Sequence, residues 1–333
     1  MKINRSFFYT GRKVCVCLLA SAALAGAIFA CQVPVFRYAL ERWNPDRYQV
    51  FVLSDGPLNS EQSAALQPLI ETPEKPGSVD LKLVDIAKAN DKFVAELWKK
   101  HNTGTGPVVV ALYPQTASTP PDQVAHAVAL SQQHVQWILN SPAREEIGGR
   151  LVDGHSAVWV FVKSGDSEKD ETAFQTLKTQ LEKDAEWLKL PTVEELEVDP
   201  KVVSDTRIKL RIEFSIVSIQ RDDPQEQFLL DCLLNSESDL RSFNEPIAFP
   251  VFGRGRALYA LVGLGIAEET IRTASSFVTG PCSCQVKNQN PGFDLLLNRD
   301  WDAAVGEIFI SQPVPEPDSK PVLLTIPPGR KSR

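Results

Sequence analysis

Two thiols, Cys282 and Cys284, stand one residue apart in GPCSCQVKNQNPGF, between a Gly-Pro and a Pro-Gly. Three kinds of chemistry suit that spacing. A redox pair needs a thiolate at working pH, which helix N-termini and neighbouring cations favour and a helix C-terminus opposes. A metal clip would bind Cu(I) or Zn through two soft thiolates, although a closed structural zinc site takes four ligands. A structural bond is the third possibility, either within the pair or to Cys31 or Cys232. A Cys-x-Cys disulfide closes a very small, strained ring and is therefore oxidising. The preceding AEETIRTASSFV (267–278) reads as a helix that stops at Gly280-Pro281, so both cysteines fall just past a helix C-terminus. Lys287 is the nearest cation in sequence. This placement favours the structural bond, with the redox pair and the metal clip as the alternatives.

The other thiols depend on the N-terminus. MKINRSFFYTGRK is basic, and Val14–Ala30 is a run of 17 residues without a charge, followed by Cys31. That is the layout of an export signal. Cys31 would be the lipid-bearing residue of a lipoprotein, with Ile28-Phe29-Ala30 an imperfect approach to that site because Phe29 is bulky. Alternatively, an ordinary signal peptidase cuts after Ala25, Ala27 or Ala30. In a third reading the run, uncharged for 23 residues to Phe36, stays as a membrane anchor. All three put the globular part outside the cytoplasm. Cys15 and Cys17 lie within the signal, and Cys232, in QFLLDCLL, reads as a core residue. Without a lipid, Cys31 precedes a helix that Pro34 opens, a setting that lowers a thiol pKa. It is therefore a third redox candidate.

Net charge is −7, and the first 30 residues carry four of the cations and no acid. An acidic surface without a basic stripe excludes nucleic acid as a partner. The expected partners are the membrane, through the N-terminus, and another envelope protein. No cofactor is expected, because no Gly-rich phosphate loop, GxSxG or HExxH occurs. His126 and His134, eight apart, read as the polar face of one helix over 121–140. Arg254 and Arg256 in Gly253-Arg254-Gly255-Arg256 read as an exposed hairpin tip, with an anion site as the alternative. Asp222-Asp223, Glu194-Glu195 and Asp300-Trp301-Asp302 read as caps and solvated faces.

These residues must be positioned by an α/β frame. Apolar strand runs at 48–55, 79–86, 106–114 and 156–165 alternate with helical periods at 33–43, 56–71, 90–101, 121–140 and 171–190. Such alternation predicts a mostly parallel sheet. The acidic segment 191–206 reads as a joint. Beyond it come a long strand (207–220), a helix capped by Asp223-Pro224 (223–235) and a hairpin (247–263). The helix 267–278, a turn at Asn290-Pro291-Gly292 and a packed segment (293–310) follow. The Pro-rich tail 311–333 reads as extended, with Val322–Ile326 as a possible edge strand. The expected organisation is a signal or anchor (1–30), a first α/β domain (31–190), a linker (191–206), a second domain (207–310) and the tail.

The unit IAFPVFGRGRALYALVGLGIAEETIRTASSFV resembles the C-terminal half of a thioredoxin fold, and the first half is more loosely similar. The resemblance implies two thioredoxin-like βαβ/ββα domains in tandem. It also implies a CxxC at a strand-to-helix junction. The junctions read as Ser54-Asp55-Gly56-Pro57 and Asp222-Asp223-Pro224-Gln225, and neither holds a thiol. Together with CQVPVFRYALERW, SPAREEIGGRLVDGHSAVWVFVKSGD and CSCQVKNQNPGFDLLL, the unit resembles a family of exported bacterial proteins to which no activity is assigned. The expected role is a non-catalytic interaction or accessory module of the envelope. An atypical thiol oxidoreductase or soft-metal binder using Cys282, Cys284 and Cys31 is the alternative. A topology reporter fused after Ser60 should be active only outside the cytoplasm. Activity confined to the cytoplasm would refute export.

Overall fold

The structure, a computed structural model, describes residues 32–72, 78–102, 104, 106–115, 122–282 and 286–313. Cys31, Cys284, the segment 1–30 expected to be a signal or anchor, and Val322–Ile326 lie outside them. The described chain opens with helix α1 (Val35–Arg42). The first sheet then forms from β1 (Tyr48–Ser54), β2 (Val79–Asp85), β3 (Val108–Leu112) and β4 (Val124–Ala129). Helices α2 (Ser60–Ile70), α3 (Lys92–His101) and α4 (Gln132–Leu139) connect and follow these strands. Its order is β2-β1-β3-β4, with β1 parallel to β2, β3 antiparallel to β1 and β4 antiparallel to β3. Helix α2 starts where Asn59 and Gln62 cap each other reciprocally.

Helix α5 (Pro142–Val152) leads to the second sheet. Its first strands are β5 (Ala157–Val162) and β6 (Phe214–Ile219), joined through α6 (Ser167–Trp187) and the short helices α7 (Val193–Leu196) and α8 (Pro200–Asp205). Helix α9 (Gln227–Leu234) precedes β7 (Ile247–Phe252), β8 (Arg256–Ala257) and β9 (Leu261–Val262), and α10 (Glu268–Thr279) follows. The described chain closes with β10 (Phe293–Asp294) and α11 (Trp301–Val305). The order here is β10-β8-β7-β5-β6, with β9 also on β7. Again the first two strands, β5 and β6, are parallel, and β7 is antiparallel to β5.

Alternation along the strands explains the layers. In β5, Ala157, Trp159 and Phe161 face one apolar cluster with α1, α6 and α10, while Val158, Val160 and Val162 face another. That second cluster also takes Tyr48, Val50 and Val52 of β1 and Phe228–Leu230 of α9, so the two sheets share one core. Phe51 and Leu53 pack on the far side of the first sheet with Val94 and Leu97 of α3. Helix α1 is buried on nearly every side, as expected of a helix sealed inside a core.

Four expectations need correction. The sheets are mixed, because each parallel pair is extended by antiparallel strands. The segment 121–140 is not one helix. Val124–Ala129 completes the open edge of β3 as a strand, and Ser131 then caps α4 by accepting from the His134 N–H. The strand 207–220 shortens to β6, since β5 offers only six residues to pair. The region 191–206 is no open joint: it carries two short helices between paired strands, so a division there cuts the second sheet. Among the described residues no helix is long and apolar enough to cross a membrane.

The predicted turn at Asn290-Pro291-Gly292 leads into β10. Gly292 has φ +100°, and a Cβ there would sit 2.2 Å from the Ala257 carbonyl oxygen. Gly292→Ala should therefore destabilise the protein by about 2–4 kcal/mol, read from the urea midpoint. A shift below 0.5 kcal/mol would contradict this packing.

Candidate functional site

Helix α10 ends where Gly280 caps it, its N–H donating to the Ser276 carbonyl. Gly280-Pro281-Cys282 then runs antiparallel to Val33-Pro34-Val35. The Val35 N–H donates to the Gly280 carbonyl at 2.9 Å, the Cys282 N–H to the Val33 carbonyl at 3.0 Å, and Pro34 faces Pro281. Neither proline has a donor to lose, so the pair suits a ladder position that needs none. Cys282 is 1% exposed in the cluster of Val33, Ile271 and Val278. Its partners in the expected chemistry, Cys284 and Cys31, lie outside the described residues. Among those that are described, no three His, Cys, Asp or Glu side chains gather as a metal site.

The loop's cation is already committed. Lys287 Nζ lies 2.5 Å from Asp294, 2.6 Å from Asp46 and 2.7 Å from the Asn44 carbonyl. Asp294 also holds Arg256 at 3.1 Å and accepts from the Asp46 N–H at 2.8 Å, while its carbonyl accepts from the Tyr48 hydroxyl at 2.8 Å. Arg256 donates further to the carbonyls of Pro291 and Asn290, and its guanidinium lies 5.8 Å from the centre of the Trp43 ring. Arg254 donates to the Leu40 carbonyl at 2.8 Å, to Asn44 and to Asp302, capping the C-terminal end of α1. The exposed-tip reading is thus corrected: Arg254 and Arg256 are 5% and 3% exposed, because carbonyls distant in sequence recruit both. Their donors are used within the protein, which argues against an anion site.

The acidic clusters have local uses. Asp223 accepts from Gln225, Asp300 accepts from Ala303, and Glu195 completes a capping box with Thr192. Cys232 is buried as expected. Burial pushes its thiol up to about 12, against a smaller opposing influence of Arg144, so it stays protonated at neutral pH.

One polar arrangement was not visible in the sequence. His126 is on β4 and His134 on α4, so the shared helix face does not exist. His126 Nδ1 lies 2.6 Å from an Asp231 oxygen, and the other oxygen accepts from Gln227 at 2.7 Å and from Arg241. Burial alone would raise the Asp231 pKa, but its bonds to His126 and Arg241 outweigh burial and hold it below the usual carboxylate range. A carboxylate-oriented imidazole is half of a nucleophile-activating set. Among the described residues, however, no hydroxyl or thiol hydrogen-bonds to His126. Both histidines line a crevice of about 120 Å3 with Trp137 and Phe228. A wider cleft of about 500 Å3 nearby is lined by Lys100, His101, Asp122 and Arg241. What the His126–Asp231 pair does within the fold is fasten α9 to β4.

Replacing Asp294 by Ala should cost about 3–5 kcal/mol in chemical denaturation, because it leaves the Arg256 guanidinium buried without its counter-charge. A loss under 1 kcal/mol would show that the two cations are re-solvated. Compared with known proteins, the chain matches no protein-family model and no curated sequence, so its site is read from geometry.

Proposed function

We propose that the chain is an exported, membrane-associated envelope protein in which two thioredoxin-like units serve as non-catalytic interaction or accessory modules. The strand order supports this reading. Each sheet starts with a parallel β-α-β pair, continues through a helix into antiparallel strands and ends in a helix. On this basis the units run from β1 to α4 and from β5 to α10. This moves the division from 191–206 to the stretch between α4 and β5.

One observation carries the non-catalytic part. In a thioredoxin-like unit the redox thiols sit where the first strand enters the first helix. The corresponding residues here are Ser54-Asp55-Gly56-Pro57 and Lys163-Ser164-Gly165-Asp166. The second junction replaces Asp222–Gln225, which precedes the second helix of its unit. Both junctions are closed by their own hydrogen bonds. Asp85 accepts from the Gly56 N–H at 3.1 Å. Asp170 accepts from the Ser164 N–H at 2.7 Å, the Ser164 hydroxyl at 2.8 Å and the Gly165 N–H at 3.1 Å. Cys282 lies beyond the last helix of its unit, past a C-terminus, where the helix dipole disfavours a thiolate.

The membrane is the partner at the N-terminus, and a second envelope protein is the partner of the globular part. Purified without its signal segment, the protein should reduce or isomerise disulfides no faster than free dithiol, in an insulin-reduction assay. Cys282→Ser and Cys284→Ser should change stability alone. Catalysed turnover that both substitutions abolish would replace this reading with the thiol oxidoreductase. Stoichiometric soft-metal binding would replace it with the metal binder.

A further inference from the structure

We propose that β2 is a self-association edge, to which a second copy of the chain adds its own β2 antiparallel about a two-fold axis at Leu81. Among the described residues β2 ends the first sheet and pairs with β1 alone. The Tyr48 N–H donates to the Ser78 carbonyl at 3.2 Å, and the Ile86 N–H to the Ser54 carbonyl at 2.8 Å. In a parallel ladder these two bonds turn the backbone groups of Ser78, Asp80, Lys82, Val84 and Ile86 toward β1. Val79, Leu81 and Leu83 therefore present theirs outward. Among the described residues nothing bonds to those of Leu81 and Leu83, and Arg47 reaches the Val79 carbonyl at 2.8 Å. Two other strands at sheet ends are blocked. On β4 the outward carbonyls of Ala125 and Ala129 each accept at 2.8 Å, from Asn235 and His134. On β6 the outward Ile216 carbonyl accepts from Arg150 at 2.9 Å.

The side chains select both the occupant and the register. Charges on an edge strand ordinarily discourage pairing, and β2 carries Asp80 and Lys82. Neither has an ion-pair partner among the described residues. Lys82 Nζ lies 3.4 Å from the Gln49 side chain and 5.2 Å from the centre of the Phe51 ring. With the axis at Leu81, Asp80 faces Lys82 of the copy, twice by symmetry. Leu81 faces its own equivalent, and Val79 faces Leu83. These apolar pairs take the hydrogen-bonded positions that their outward groups require. The Asp80–Lys82 pairs take the non-bonded positions, where side chains stand closer. The apolar pairs lie on the face of the shared core and cover Leu83, which is 54% exposed in the single chain. Moving the axis one residue, to Asp80 or Lys82, would oppose like charges.

A strand-to-strand contact of this length is a small interface, so the dimer is weak and depends on concentration. The inference goes beyond the accessory-module reading and needs neither export nor the thioredoxin-like division.

Sedimentation velocity of the full chain in detergent, over a concentration series, should show a monomer–dimer equilibrium. Asp80→Lys and Lys82→Asp should each raise the dissociation constant about tenfold or more, because two attractive pairs become repulsive. Mixing the two variants, or combining both substitutions in one chain, should restore the dimer, which misfolded variants could not do. The Leu81 and Leu83 amides should resist hydrogen exchange in the dimer and exchange freely on dilution. A monomer throughout the series, or a dimer indifferent to both charge reversals, would overturn the proposal. So would amides protected at every dilution, because another segment of the same chain, such as the edge strand expected at Val322–Ile326, would then cover β2.

Discussion

The Asp294 carboxylate is the constraint on which the arrangement of the two sheets depends. It sits on β10, the short strand that extends the second sheet through β8. Its side chain gathers Arg256, Lys287 and the Asp46 N–H, while its carbonyl takes the hydroxyl of Tyr48 from β1. Strands of both sheets therefore meet at one residue. A buried carboxylate loses several kcal/mol of hydration, which only a full set of donors offsets. The net contribution to stability is small, but the cost of losing one member is large. That asymmetry ties the loop 286–294, the hairpin at Gly253–Arg256 and the segment 43–48 into one arrangement.

Helix α1 shows the same logic on the other side of the core. Arg37 and Glu41 lie inside it as an i,i+4 pair at 2.6 Å. Neither charge is left to the pair alone. Arg37 donates to the Ile208 carbonyl, and Glu41 accepts from the Ile310 and Ser311 N–H groups. The helix thus binds the segment that leads into β6 and the end of the described chain. With Arg254 on its last carbonyls, α1 is a central strut of the fold.

Much of this was legible from local signals. The apolar runs at 48–55, 106–114 and 156–165 form β1, β3 and β5 because continuous Val, Leu and Phe mark strands buried on both faces. Asn59, Asp223-Pro224 and Gly280 set helix ends through their own side chains or backbones, so no distant residue was needed. Val124–Ala129 was not legible, since alternating Ala, Val and His suit either period and only the open edge of β3 decides. Arg254 and Arg256 misled for a related reason. A Gly-Arg repeat has the composition of an exposed tip, and the carbonyls that bury it come from Leu40, Asn290 and Pro291. The His126–Asp231 bond joins residues 105 apart in sequence, a distance at which no spacing rule operates.

For the thiols, the helix terminus could be read and the surrounding charge could not. The stop at Gly280 correctly put Cys282 beyond the carbonyl end of α10. Lys287 remained a nominal activator until the structure bound it to two carboxylates. A thiolate is stabilised by uncommitted positive charge, whether a cation or a ring of free N–H groups. Around this loop Lys287 and Arg256 are paired with carboxylates, the nearest helix presents its carbonyl end, and Cys282 is buried within an apolar cluster. Cys232 meets the same outcome by another route, since burial outweighs the pull of Arg144 on its proton. The backbone N–H groups at the ends of β1 and β5 are taken up as well, by Asp85 and Asp170.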